Sequence, residues 1–392
     1  MALQPASGAQ DLLPREVGAN RSICDQLAAI YSRWGYEEVM PPSLERLDTL
    51  EAGGAIQSCQ VLQVVADEAL GLRPEMTASI ARAAATRLGA MPRPLRLHYR
   101  GSVFQAHKAE QGQRVAEDLQ SGVELMGAAG LAGDSELLRL LLDAAGSLAL
   151  QPEHAPTLLI GHQGLFDLLL EPLPPQQRPS MRRLLGKLDR VGLHQLELQP
   201  SLKQHFLTLL DLRGEPGAVL GSLRQLLGQA PLLSELEQLI HSVQAQADRH
   251  GIRLQLDPSF HPDFELYDGL MLRLVCQGSH APVAIASGGR YDRLVQRFSA
   301  TDQAASGVGF SVMVEAIRQL LHSSGALPEP ETQAALLVAF AQADQLHAAL
   351  DQLQQLHSQG QRAELWPLPC TSQAAAEAVA GQRGCSGVSW LG

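Results

Sequence analysis

The chain has 392 residues, 45% hydrophobic and 18% charged, a balance that suits a soluble protein of two or three domains with one large core. Its net charge of −11 disfavours a dedicated nucleic-acid binder, which needs a basic face for phosphates. Cys24, Cys59, Cys276, Cys370 and Cys385 form no C-x-x-C pair and have no histidine at metal spacing, which argues against a zinc site or disulfide framework and fits a reducing cytoplasm.

Residues 1–16 lack the basic and apolar regions of a signal peptide. From Pro14 to about Trp34, Ile23, Leu27, Ile30, Tyr31 and Trp34 recur on one helical face, and Gly35 ends the helix. An extended stretch, Glu38 to Pro42, follows. Alternation at Leu95, Leu97 and Tyr99, and again at Val123 and Leu125, predicts two antiparallel strands, 95–105 and 119–127, joined by a polar loop from His107 to Asp118. Leu131 to Leu150 is expected to be a helix. Its most apolar part, from Leu137, is broken by Arg139 and Asp143 and is too short to span a bilayer.

Residues 161–250 have strong helical periodicity and are expected to form an inserted helical subdomain. Strand patterns return over 265–276 and 282–287, and a Gly-rich strand enters a helix over 307–321. A core of residues 1–322 is therefore expected, then a linker over 323–332 with Pro328 and Pro330, then a small β-α-β-α-β unit over 333–392. No internal repeat is present.

Five segments stand in one order: GAQDLLP (8–14), WGYEEVMPPSLE (34–45), LRPEMTASIARA (72–83), YRGSVFQ with LQSGVELMG (99–127), and ASGGRYDRL (286–294). Together with GVGFSVMVEAI (307–317) they resemble histidyl-tRNA synthetase and its regulatory paralogue, over roughly residues 8–321. The resemblance implies an α+β fold of class II synthetase type, an antiparallel sheet flanked by helices, that dimerises through the first motif. By that analogy Pro42 closes the dimer-forming strand; alternatively it simply ends an edge strand.

In the resembled family, the counterparts of Glu75, Thr77, Gln120 and Glu124 line the amino-acid pocket. The retained tyrosine, Tyr267, and the turn Gly288-Gly289 are expected to join them as histidine-binding residues. Period two puts Glu75 with Thr77, and Gln120 with Gly122 and Glu124, on one face. Glu124 lies between Val123 and Leu125, and a carboxylate in an apolar strand needs a cation or donors. Two readings are open for it: a ligand's ammonium or imidazole N–H, or a structural pair with an arginine. Glu75 reads equally as a carboxylate at the start of a helix, and Thr77 as its cap. Gly288-Gly289 also reads as a plain tight turn, with Arg290 and Asp292 as a surface pair and Tyr291 packing.

Adenylate formation places negative charge on phosphates, and cationic clamps supply much of the rate. The resemblance implies three arginines in an active member. The counterparts here are Gln105 after GSVF, Ala316 after the glutamate of GVGFSVMVE, and Pro262 in HPDFELY, where Glu265 and Leu266 also depart from the pattern. Losing one such donor typically costs about 10²–10³ in rate. No catalytic residue, metal or cofactor is therefore expected.

The unit over 333–392 resembles a shortened anticodon-binding domain, yet holds only Arg362 and Arg383 as strong bases, so tRNA binding is not expected. The function implied is that of the ATP phosphoribosyltransferase regulatory subunit: a cytoplasmic, histidine-responsive partner of a short-form catalytic subunit in the first step of histidine biosynthesis. An active or atypical histidyl-tRNA synthetase is the alternative. A kinase-linked sensor lacks its glycine loop, and a serine hydrolase lacks the G-x-S-x-G elbow.

Overall fold

The structure is a computed structural model that describes residues 5, 8–52, 61–109, 112–260, 266–299, 305–327 and 334–392. The chain divides into two compact units, residues 1–328 and 329–392.

The first unit opens with α1 (Pro14–Arg33), whose Ile23, Leu27, Ile30 and Tyr31 are buried. Then come β1 (Glu37–Glu38), β2 (Leu44–Arg46), α2 (Leu47–Glu51), β3 (Leu62–Val64), β4 (Leu70–Leu72) and α3 (Thr77–Ala85). A long hairpin of β5 (Leu95–Ala109) and β6 (Gly112–Met126) leads into α4 (Gly130–Ser147) and β7 (Thr157–His162). Six helices follow: α5 (Gln163–Leu170), α6 (Arg178–Gly186), α7 (Arg190–Gln195), α8 (Pro200–Asp211), α9 (Pro216–Leu227) and α10 (Pro231–Arg249). The unit closes with β8 (Arg253–Leu256), β9 (Leu270–Gln277), β10 (Pro282–Arg290), α11 (Asp292–Phe298), β11 (Gly307–Met313) and α12 (Val314–Ser323).

Eight strands form one sheet in the order β1-β5-β6-β11-β10-β9-β7-β8. Its six central strands pair antiparallel, and the two edge pairs, β1 with β5 and β7 with β8, are parallel. Side-chain alternation divides the sheet's two faces. Val123 and Leu125 turn into the main core with α1, α4 and α12, while Leu95, Leu97 and Tyr99 join a smaller cluster with Met76, Ile80, Tyr291 and Leu294. That second face carries the site.

Several expectations need correction. Most of the segment 107–118 is strand, because the hairpin pairs continuously from Leu95↔Met126 to Ala109↔Gly112. Its polar residues hid the pairing, since no apolar face marks a strand there. Pro42 closes no strand: β1 stops at Glu38 and Pro42 lies in the connection before β2. Gly288-Gly289 is not a turn but lies inside β10, paired to β9 and β11 on either side. Glycine is required there by close approach: a Cβ on Gly288 would stand 2.2 Å from the Gly309 carbonyl oxygen, and one on Gly289 2.4 Å from that of Leu270. Arg290 is buried rather than part of a surface pair, and it binds Asp134 as well as Asp292. Residues 161 and 162, expected to be helical, belong to β7. The expectations for Pro262 and Glu265 lie outside the described residues.

The second unit contains β12 (Leu336–Phe340), α13 (Leu346–Ser358), β13 (Ala363–Leu365), α14 (Gln373–Arg383) and β14 (Gly387–Leu391). Its strands are all parallel in the order β13-β12-β14, with Val338, Phe340, Ala349 and Leu356 in the core.

Candidate functional site

On the α3 side of the large sheet lies a cavity of about 540 Å³, a size that suits a small molecule. Of the residues proposed from sequence, Glu75, Thr77, Gln120, Glu124 and Tyr267 line it together. Gly288 and Gly289 do not; they sit in β10, where Gly289 leaves room for the Tyr267 ring (2.7 Å from an added Cβ). Gln105 and Ala316 also line the cavity.

Glu124 is the centre of the arrangement and is 1% exposed. The Thr77 hydroxyl donates to its Oε1 at 2.8 Å, and the Tyr291 hydroxyl donates to its Oε2. No arginine shares this carboxylate, so the structural ion-pair reading does not hold among the described residues. Gly309, its register partner on β11, makes the space: a Cβ there would lie 1.9 Å from Glu124 Oε2. Gly122 does the same for Tyr99, whose hydroxyl would stand 2.5 Å from an added Cβ.

Glu75 precedes α3 and accepts from the backbone N–H groups of Thr77 (2.5 Å) and Ala78 (2.9 Å). The carboxylate that satisfies the helix start also faces the cavity. Arg73 of the same motif turns away, donating to the carbonyls of Ser102 (3.0 Å) and Pro41 (2.5 Å). It ties the α3 approach to β5.

Burial pushes the Glu124 carboxyl up to about 8, opposed by the Tyr291 and Thr77 hydroxyls and assisted by the Glu75 charge. Burial also raises Glu75. The phenols of Tyr99, Tyr267 and Tyr291 are raised by burial first and by the Glu124 charge second, so they remain protonated donors. The site thus presents two carboxyl groups and three hydroxyls, and a ligand that carries N–H donors would favour the ionised form of the carboxyls.

Further along, the lining changes. Gln105 Nε2 donates to the Pro74 carbonyl at 3.1 Å, fixing the amide against the chain before Glu75. Glu315 accepts from the Leu119 N–H at 2.9 Å beside Ala316. Among the described lining residues the one cationic side chain is Arg273 on β9. Sequence reasoning missed Tyr99, Tyr291, Arg273 and Ser287 as cavity residues. An arginine inside the apolar run LMLRLVC was the signal that could have found Arg273. Among the described residues no group of three His, Cys, Asp or Glu could hold a metal ion, and no helix is long and apolar enough to cross a membrane.

The histidyl-tRNA synthetase family model matches residues 8–317. A chain from Synechococcus sp. (strain RCC307), named ATP phosphoribosyltransferase regulatory subunit, is 67% identical with all of both chains covered. A crystal structure from Bacillus halodurans, described as an ATP phosphoribosyltransferase regulatory subunit/histidyl-tRNA synthetase, superposes with a TM-score of 0.80 at 25% identity, covering 100% of this chain and 98% of that one. Histidyl-tRNA synthetase from Nostoc sp. PCC 7120 shares the fold, with a TM-score of 0.77 at 21% identity over 98% of this chain and 90% of its own. The class II synthetase architecture and this end-to-end likeness place the chain in the histidyl-tRNA synthetase family, among its ATP phosphoribosyltransferase regulatory subunits.

Proposed function

We propose that the chain is a non-catalytic regulatory subunit that activates a short-form ATP phosphoribosyltransferase and carries histidine feedback to it. The observation that supports this most is the lining of the cavity. Buried Glu124, half-buried Glu75 and the phenols of Tyr99, Tyr267 and Tyr291 suit an amino acid's N–H groups, while Arg273 is the one described cation beside them. A phosphate-activating site needs several cations around the developing charge. Gln105 and Ala316, which stand where the family resemblance places arginines, cannot supply them.

In this reading Glu75, Thr77, Gln120, Glu124 and Tyr267 hold histidine, and Gly288 and Gly289 shape the wall behind. The chain self-associates through the segment 34–45 and works in the cytoplasm with the catalytic subunit. Residues 333–392 form a small domain with too few bases to follow tRNA. Feedback requires histidine to bind two states of the complex with different affinity, because a ligand without that difference shifts nothing.

The test mixes the purified chain with a short-form catalytic subunit and measures phosphoribosyl transfer with and without histidine. Stimulation that histidine reverses is expected, together with no histidine-dependent ATP–pyrophosphate exchange by the chain alone. Exchange at synthetase rates would favour the alternative, an active histidyl-tRNA synthetase, whose fold the chain shares.

A further inference from the structure

The turn between α6 and α7, residues 187–189, carries a side chain that local structure does not call for. At the end of α6 the Leu188 N–H donates to the Leu185 carbonyl at 2.9 Å, and the Asp189 N–H donates to the Leu184 carbonyl at 2.8 Å. This ending puts one residue in the left-handed region, where glycine is the usual occupant. Here that residue is Leu188, at φ +53°. Its Cβ is crowded by the following carbonyl oxygen. Packing does not account for the leucine, because it is 41% exposed, and Val191 in the first turn of α7 is 68% exposed.

Charge marks the same place. Arg183 and Lys187 stand four residues apart at the end of α6, both exposed, and neither has an ion pair or side-chain hydrogen bond among the described residues. The carbonyl end of a helix favours bases nearby, but it leaves their outward N–H groups unpaired. Residues 178–203 hold six bases against two acids, in a chain with 30 bases against 41 acids. The inner faces are already occupied, since Met181 and Leu185 of α6 and Leu193 of α7 are buried. Outward, the turn presents two aliphatic side chains beside unpaired cations.

We propose that this turn is the surface by which the chain docks the short-form catalytic subunit, with Leu188 and Val191 entering an apolar depression rimmed by carboxylates. The assignment rests on the regulatory-subunit reading and adds the surface and the complementary chemistry that reading needs. A cationic rim selects an acidic face, and apolar anchors within a polar rim are the layout of a protein interface. A nucleic acid fits less well. Residues 178–203 contain no Phe, Tyr or Trp on which a base could stack, and phosphates would meet Leu188 and Val191 at the centre. The left-handed backbone holds Leu188 outward before the partner arrives, so little order has to be gained on binding.

Calorimetry on the full chain, titrated with a short-form catalytic subunit at low and moderate salt, tests the surface. The wild-type chain should bind, and more weakly as salt rises. Leu188→Gly gives the turn its usual residue. Urea denaturation should therefore show a chain at least as stable as the wild type, while affinity falls about 10-fold, the scale of an interface anchor. Arg183→Gln combined with Lys187→Gln should weaken binding about 3- to 10-fold and flatten the salt dependence. Wild-type affinity in Leu188→Gly overturns the docking surface, and wild-type salt dependence in the double variant overturns the acidic partner face. Either result leaves the regulatory reading standing where the wild-type chain still gives histidine-reversible stimulation. Binding of bulk tRNA that Leu188→Gly weakens, with catalytic-subunit affinity intact, overturns the protein partner in favour of a nucleic acid. A wild-type chain that neither binds nor stimulates the catalytic subunit sinks the regulatory reading, and this surface with it.

Discussion

The hydroxyl of Thr77 donates to Oε1 of Glu124 at 2.8 Å, joining the first residue of α3 to the C-terminal end of β6. This bond ties two of the family's segments, LRPEMT and Q-x-x-x-E, through one buried carboxylate. A ligand N–H that reaches Glu124 adds to an acceptor already oriented from one side by Thr77 and from the other by Tyr291.

Thr77→Val keeps the shape and removes the donor. The Glu124 carboxylate then turns more freely and its charged form is less favoured. Histidine affinity should fall by about 5- to 10-fold, the scale of one hydrogen bond to a charged group. Isothermal calorimetry measures the fall, and circular dichroism should show that α3 persists. Unchanged affinity would separate Thr77 from the ligand site.

Glu124→Gln tests the buried acid through pH. Burial raises the Glu124 carboxyl from 4.5 to about 8, so between those values the folded chain retains a proton that the unfolded chain has released. Stability from this group therefore falls as pH rises through that window and reaches its lowest level above about 8. The neutral amide has no such slope. Thermal midpoints measured from about pH 5 to about pH 9 should decline more steeply for the wild-type chain than for Glu124→Gln. Binding of an N–H donor to the ionised carboxylate should also release a proton near neutrality, which calorimetry in buffers of different ionisation enthalpy detects.

How far the site was readable from sequence depended on local contrast. Glu124 between Val123 and Leu125 stood out because period two sends neighbours to opposite faces, and the structure buries both apolar residues in the core. Glu75 and Thr77 were readable because a carboxylate two residues before a helix has an obvious electrostatic role. The rest depended on register, which a sequence does not display. Tyr99 and Arg273 belong to one row only because β5, β6, β11, β10 and β9 align at those residues. Gly288-Gly289 suggested a turn because glycine's commonest use is conformational. Its use here is spatial, inside a strand, where neighbouring backbones leave no room for a Cβ. The hairpin arms were shortened for a similar reason, since strands without an apolar face carry no period-two signature.

Gly309→Ala examines space at the Glu124 carboxylate. The new Cβ would meet Glu124 Oε2 at 1.9 Å and the Val123 carbonyl oxygen at 2.5 Å, so a side chain and a backbone must both move. Overpacking of this kind costs about 1–3 kcal/mol, and displacement of the carboxylate should take histidine binding below detection. Gly381→Ala is the control. It sits in the interior of α14 with nothing within 4 Å of an added Cβ, and helix propensity should raise stability by roughly 0.5–1 kcal/mol. Urea denaturation of the two variants should therefore shift in opposite directions.

Arg290→Met addresses the motif arginine that the cavity does not use. Its Nε and Nη2 donate to Asp134 Oδ1 at 3.0 and 2.7 Å, and Nη1 donates to Asp292 at 3.0 Å. The guanidinium side chain is 8% exposed and that of Asp134 12%, so water screens this pair little. Burial raises the Asp134 carboxyl and Arg290 pulls it back down. Removing the arginine leaves a buried carboxylate without its cation, a loss of about 3–5 kcal/mol. Chemical denaturation should show that drop. Adding Asp134→Asn to Arg290→Met should recover part of it, because the amide removes the stranded charge. A double variant no more stable than Arg290→Met would mean that Arg290 acts through the carbonyls of Ala128 and Gly130, which it also approaches, and not through the ion pair.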